Sequence, residues 1–297
     1  MNFQQFATTE FGTKLWMALG RRLPPRAGHA LAKVVTGILS RRRDSALYRT
    51  LYANQAGVLG PEASPEQLHA AVRAVLRHAG FVSFDLMHVV GQGEDAIRDG
   101  VIWEPEVWEN IKAAQAFGRG LVICSCHLSN FNLALLSFAL RDVPMQVLSV
   151  AAPAGGFQLM FELRSRGVLE ETPIDGAALR QAIQRLRCGG AVATAVDWPV
   201  AVSTDEMVPF FGRPAHLPTG HVRLAMQTGA LLLFIACRWA PGRGYVVRAT
   251  PPLELELTGD RAFDVRHNAG RMLAICEEWI ADAPDQWLMY HPVWEEQ

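Results

Sequence analysis

A chain of 297 residues with 50% hydrophobic and 19% charged side chains can bury a sizeable core and is too apolar to be disordered. Its formal net charge of −1 excludes a general attraction to nucleic acid. No apolar run reaches the roughly 18 residues that a bilayer-spanning helix needs, and the longest, Ala230 to Ala236, is of strand length.

The first 60 residues carry nine basic side chains against two acidic ones, a local net of +7, which leaves −8 for the remainder. Lys14, Arg21, Arg22 and Arg26 lie near Phe3, Phe6, Phe11 and Trp16. Such a segment could bind an anionic membrane surface through apolar burial and headgroup attraction, or form a solvated basic face on a helix that packs on its own domain. The start lacks the pattern of a signal peptide, so the protein is expected to stay where it is made.

Ala27, Leu31, Val34, Val35 and Ile38 recur at helical spacing, with Pro24 and Pro25 separating this helix from the one before. Gly57 to Pro65 reads as a loop, and Pro65 behind Ser64 opens a further helix with Leu68, Val72, Val75 and Leu76 on one side. None of these helices is expected to carry chemistry.

From Gly118 the pattern changes. Leu121 to Cys126, Met145 to Val150, Ala191 to Val196, Met207 to Phe211, Leu231 to Cys237 and Tyr245 to Ala249 read as strands. Helical patterns fall at Asn130 to Leu140, Phe157 to Arg166, Ala177 to Leu186, Gly220 to Gln227 and Ala262 to Ile280. The alternation predicts an α/β fold with a mixed, mostly parallel sheet flanked by helices. The expected organisation is a basic amphipathic helical segment over residues 1–60, followed by a continuous α/β domain over 61–297.

Ligands of such sheets sit where strand ends lead into helices. His127 follows the strand Leu121 to Cys126 and precedes a helix, a position at which a histidine base is well placed. Asn132 is its candidate partner: if the chain bends back through Ser129 or Asn130, the amide oxygen can accept a hydrogen bond from one ring nitrogen and leave the other free for a hydroxyl proton. The plain alternative is a hydrogen-bonded histidine at a strand terminus. Five cysteines, an odd set without a disulfide pattern, suit a reducing compartment. Cys124 and Cys126 point away from His127 on an alternating strand, so no metal site is expected, and a thioesterase using Cys126 beside His127 is a remote alternative. Neither a dinucleotide fingerprint nor a phosphate-binding G-x-x-x-x-G-K loop is present.

Several blocks together, CSCHLSNFNLALLSF, FELRSRGV, VPFFGRPAHLPTGHVRLA and PDQWLMYHPVW, resemble the bacterial lipid A late acyltransferases and the related acyltransferases of phosphatidylinositol mannosides, within the wider glycerolipid acyltransferase superfamily. The resemblance covers about residues 20–294. It implies an O-acyltransferase whose co-substrate is an acyl thioester of acyl carrier protein or coenzyme A, with no metal and no other cofactor. It further implies a glycolipid or lipid hydroxyl as acceptor, and a peripheral place on the cytoplasmic face of a bacterial inner membrane.

On this resemblance His127 stands at the general base of an H-x4-D/E motif, and Asn132 stands where the family has the carboxylate. Arg164 and Arg166 fit contact with an anionic part of donor or acceptor. Asp197, closing the strand Ala191 to Val196, and the Phe210-Phe211-Gly212 segment fall in the block that borders the acceptor site. The replacement at Asn132 leaves a rival reading, a catalytically silent relative that binds lipid or acyl thioester. His216, His221 and His291 are expected to be structural.

Overall fold

The structure is a computed structural model that describes residues 18, 20–141, 143–149, 168–200 and 207–294. Helices α1 (Pro25–Leu39), α2 (Ala46–Leu59), α3 (Pro65–Gln92) and the short α4 (Glu94–Asp99) come first. Ser64 and Gln67 cap α3 reciprocally, each side chain bonding the other's backbone N–H, with Pro65 at the first helical position, so the start expected from Ser64-Pro65 is made by local chemistry. Helix α1 packs on α3 through small residues: a Cβ on Gly28 would lie 2.0 Å from the Phe84 ring.

The sheet follows as β1 (Ile102–Trp103), α5 (Pro105–Ala116), β2 (Leu121–Ser125), α6 (Phe131–Ala139), β3 (Met145–Ser149), β4 (Leu169–Pro173), α7 (Gly176–Arg187) and β5 (Ala191–Ala195). A two-stranded hairpin, β6 (Val208–Phe210) and β7 (Arg213–Ala215), precedes α8 (Gly220–Thr228), β8 (Leu231–Ala240), β9 (Gly244–Ala249) and α9 (Arg261–Ala281). The seven strands lie in the order β1-β9-β8-β2-β5-β3-β4. All neighbours are parallel except β8 and β9.

Alternation along the central strands sends side chains to two buried layers. Leu121, Ile123, Leu231, Leu233 and Ile235 join one layer with Val72 and Val75 of α3. Val122, Cys124, Leu232, Phe234 and Ala236 join the other, under α7, α8 and α9. Burial on both faces explains why these strands read as continuous apolar runs. Tyr48 and Leu51 of α2 share the first layer, so the end of the basic segment is built into the same core as the sheet.

Three differences from the sequence reading have physical reasons. Val208–Phe210 pairs with Arg213–Ala215 in a separate antiparallel hairpin on α9 instead of joining the main sheet. Strand β4, Leu-Glu-Glu-Thr-Pro, was not anticipated because it is an edge strand whose acids and proline hide the strand pattern. Strand β1 has two residues, too few for any periodicity. The helix expected over Phe157 to Arg166 lies outside the described residues. No helix among the described residues is long and apolar enough to cross a membrane.

Candidate active site

Strands β2 and β5 are adjacent and parallel, with Ser125 opposite Ala195. Two residues past each strand end, the same register brings His127 opposite Asp197. The His127 imidazole donates from Nδ1 to Asp197 Oδ1 at 2.8 Å, and the His127 backbone N–H donates to Oδ2 at 2.8 Å. Trp287 Nε1 adds a third donor, 2.9 Å from Oδ2. The carboxylate is fully buried, while the imidazole keeps 17% of its surface exposed.

Burial raises the Asp197 pKa, but the adjacent His127 and the three hydrogen bonds outweigh it and hold the carboxyl below its ordinary value. Asp197 is therefore an anion at neutral pH, and it fixes the tautomer that leaves Nε2 able to accept a proton. Among the described residues Nε2 makes no hydrogen bond. The ring is flanked by Phe131, edge-on at 4.8 Å, and by Trp198 at 5.2 Å. His291 packs on Trp198 at 4.3 Å, and burial, with the neighbouring His127, holds its pKa down.

The loop between β2 and α6 is held from several sides. Ser129 has a left-handed backbone, φ 48°, which is unusual for a residue with a Cβ. Asn130 caps α6 by accepting from the Leu133 N–H. A segment near the C-terminus closes over this loop: Leu288 N–H donates to the His127 carbonyl and Ser129 N–H donates to the Gln286 carbonyl, both at 2.8 Å. Helix α2 clamps the same segment. Asn54 donates to the Met289 and His291 carbonyls, Gln55 donates to the Pro284 carbonyl, and a Cβ on Gly57 would lie 2.3 Å from the Trp294 ring.

The predicted site residues divide accordingly. His127 and Asp197 are brought together, and the partner at Nδ1 is Asp197 rather than Asn132, which lies on the first turn of α6. Asp197, expected in the block that borders the acceptor site, is buried and bonds the His127 ring and backbone N–H. Phe210 is fully buried and stacks on Trp294 at 5.6 Å. Phe211 and Gly212 form the two-residue hairpin turn, both with positive φ, and the Phe211 N–H donates to Glu277. Arg164 and Arg166 lie outside the described residues. His221 is buried, among the described residues neither ring nitrogen is hydrogen-bonded, and burial pushes its pKa down to about 4. Cys126 is buried; a hydrogen bond with Cys276 lowers its pKa, burial and Asp197 raise it, and the balance is upward, which makes it a poor nucleophile. Among the described residues no three His, Cys, Asp or Glu side chains converge as a metal site.

The sequence profile of the bacterial lipid A biosynthesis acyltransferase family matches residues 4–296, nearly the whole chain. The chain belongs to this family. Two phosphatidylinositol mannoside acyltransferases of Mycobacterium tuberculosis, from strains CDC 1551 / Oshkosh and ATCC 25618 / H37Rv, are each 28% identical to it over 190 residues. That match covers 63% of this chain and 58% of each relative. A phosphatidylinositol mannoside acyltransferase of Mycolicibacterium smegmatis is 26% identical over 190 residues, covering 63% of this chain and 60% of the relative. The chain thus spans less than two thirds of the length of these relatives.

Proposed function

We propose that this protein is an O-acyltransferase that moves a fatty acyl group from an acyl thioester to a hydroxyl of a glycolipid or lipid acceptor, with His127 as general base. The observation that carries the reading is the His127–Asp197 pair: a partly exposed imidazole at a parallel strand end, with one nitrogen held by a buried carboxylate. Nε2 takes the acceptor hydroxyl proton as its oxygen attacks the thioester carbonyl. The tetrahedral intermediate then collapses, the carbon–sulfur bond breaks, and the imidazolium returns the proton to the departing thiolate. Asp197 stabilises the imidazolium in between.

The presence of Asp197 at the imidazole supports a working base over a silent lipid-binding relative, the rival that the replacement at Asn132 raised. The burial of Cys126 argues against a cysteine thioesterase. The acceptor class rests on the mannoside acylation named for the relatives, and the donor is the thioester of acyl carrier protein or coenzyme A. Attachment to the cytoplasmic face of the inner membrane is supported by exposed Val34 and Ile38 on α1 beside Lys33, Arg41, Arg42 and Arg43.

The test offers radiolabelled acyl-coenzyme A and acyl-acyl carrier protein with a glycolipid extract to wild type and His127→Ala. Acyl-lipid formation by wild type and its loss in the variant are expected. Equal turnover by both proteins would refute the reading.

A further inference from the structure

Helix α3 carries a buried imidazole that the proposed chemistry does not use. His78 Nε2 lies 3.0 Å from Ser129 Oγ, and both side chains are buried. Ser129 stands two residues after His127, in the left-handed backbone that turns the chain from β2 into α6. A serine adopts this conformation only when its surroundings impose it. Its N–H is tied to Gln286, and its hydroxyl is tied to His78. Burial holds the His78 pKa below its ordinary value, so the bond joins a neutral imidazole to a hydroxyl.

Rotation at Ser129 would move its two neighbours in opposite senses. Asn130 is pinned as the cap of α6 and the His127 carbonyl is held by the Leu288 N–H, so relaxation would fall on the Ser129 and Leu128 peptide units between these anchors and tilt the His127 ring. We propose that His78 is a positioning residue for the His127 base: its bond to Ser129 locks the loop conformation that aligns the imidazole with Asp197. The proposal rests on the acyltransferase reading above for its kinetic consequence, but the alignment itself can be observed independently of turnover.

His78 also lines a cavity of about 430 Å³ with Phe81, Asp85 and Tyr245. A side chain at a cavity wall can be truncated with less loss of packing than one inside a close-packed core, which favours a folded His78→Ala variant.

The experiment compares His78→Ala, His78→Gln, Ser129→Ala and the His78→Ala/Ser129→Ala double variant, with folding checked by circular dichroism. His78→Ala is expected to lower kcat about 10–100-fold with KM unchanged, the scale on which small misplacements of a catalytic group act. His78→Gln, which can still reach Ser129, should recover most of the loss, and the double variant should be no worse than the poorer single variant. In parallel, the nitrogen-15 imidazole resonances of His127 should shift in His78→Ala. Should His78→Ala fail to fold, Ser129→Ala carries both measurements.

Wild-type kcat in the folded variants, additive losses in the double variant, or unchanged His127 resonances would each overturn the proposal. If His127→Ala itself retains full turnover, the base reading fails, and the resonance measurement alone then decides whether His78 positions the loop.

Discussion

The loop after β2 and helix α8 each hold a histidine in the same layered fold, and the two environments make opposite demands on it. His127 stands at a strand end with an anionic partner 2.8 Å away and part of its ring open. His221 is sealed in α8, and among the described residues neither nitrogen has a hydrogen bond. The first environment sets a buried carboxylate anion against the ring. The second forbids a proton on the ring, and its imidazole serves as packing.

This contrast can be broken most sharply at His127. His127→Ala should lower acyl transfer by about 10²–10⁴-fold, the usual worth of a general base, and should also lower the thermal midpoint, because it leaves the buried Asp197 carboxylate without its charge partner. Asp197→Asn comes next: it keeps the volume but loses the charge that stabilises imidazolium, and a loss of about 10²-fold or more in kcat is expected. Asn132→Ala should fall well short of that loss; a larger effect than that of Asp197→Asn would return the orienting role to Asn132.

Trp287→Phe removes one of three donors to the carboxylate. A hydrogen bond to a charged group is worth about 1.5–3 kcal/mol, so denaturant unfolding should show a loss of that order, and kcat should fall by roughly tenfold. An unchanged rate would show that Asp197 is held well enough by His127 alone.

The smallest effect on activity belongs to His221, whose signature is in stability at acid pH. Its pKa is lowered in the folded protein to about 4, so below the ordinary value of about 6.5 the unfolded chain takes up the proton first. Stability is lost as pH falls from about 6.5 to about 4, by about 3 kcal/mol at the acid end, and His78 adds in the same direction. His221→Leu should leave neutral-pH activity intact and flatten that slope in urea titrations at pH 7 and pH 5. Equal pH slopes in the two proteins would remove His221 from the acid response.

Local chemistry was legible along the chain. The apolar runs of β2, β5 and β8, the Ser64-Pro65 helix start and the strand-end position of His127 all follow from periodicity, capping and turn preferences that act within a few residues. The hairpin turn at Phe211-Gly212 was less so, because a phenylalanine with positive φ violates the local preference and is held by its neighbours, Glu277 among them.

The sequence by itself determined the central strands and the helix started by Ser64-Pro65, and that one histidine would emerge where a strand meets a helix, while the edge strands β1 and β4 were not legible in it. Only the tertiary structure decided what that histidine meets. Asp197 lies 70 residues away and reaches it because β5 pairs with β2 in a register set by the whole sheet. His78, Asn54 and Gln55, in helices that carry no chemical signature, support the loop or the segment covering it for the same reason. Pattern and capping energies decay within a turn or two of chain, whereas strand order and packing are settled by burial summed over the entire core.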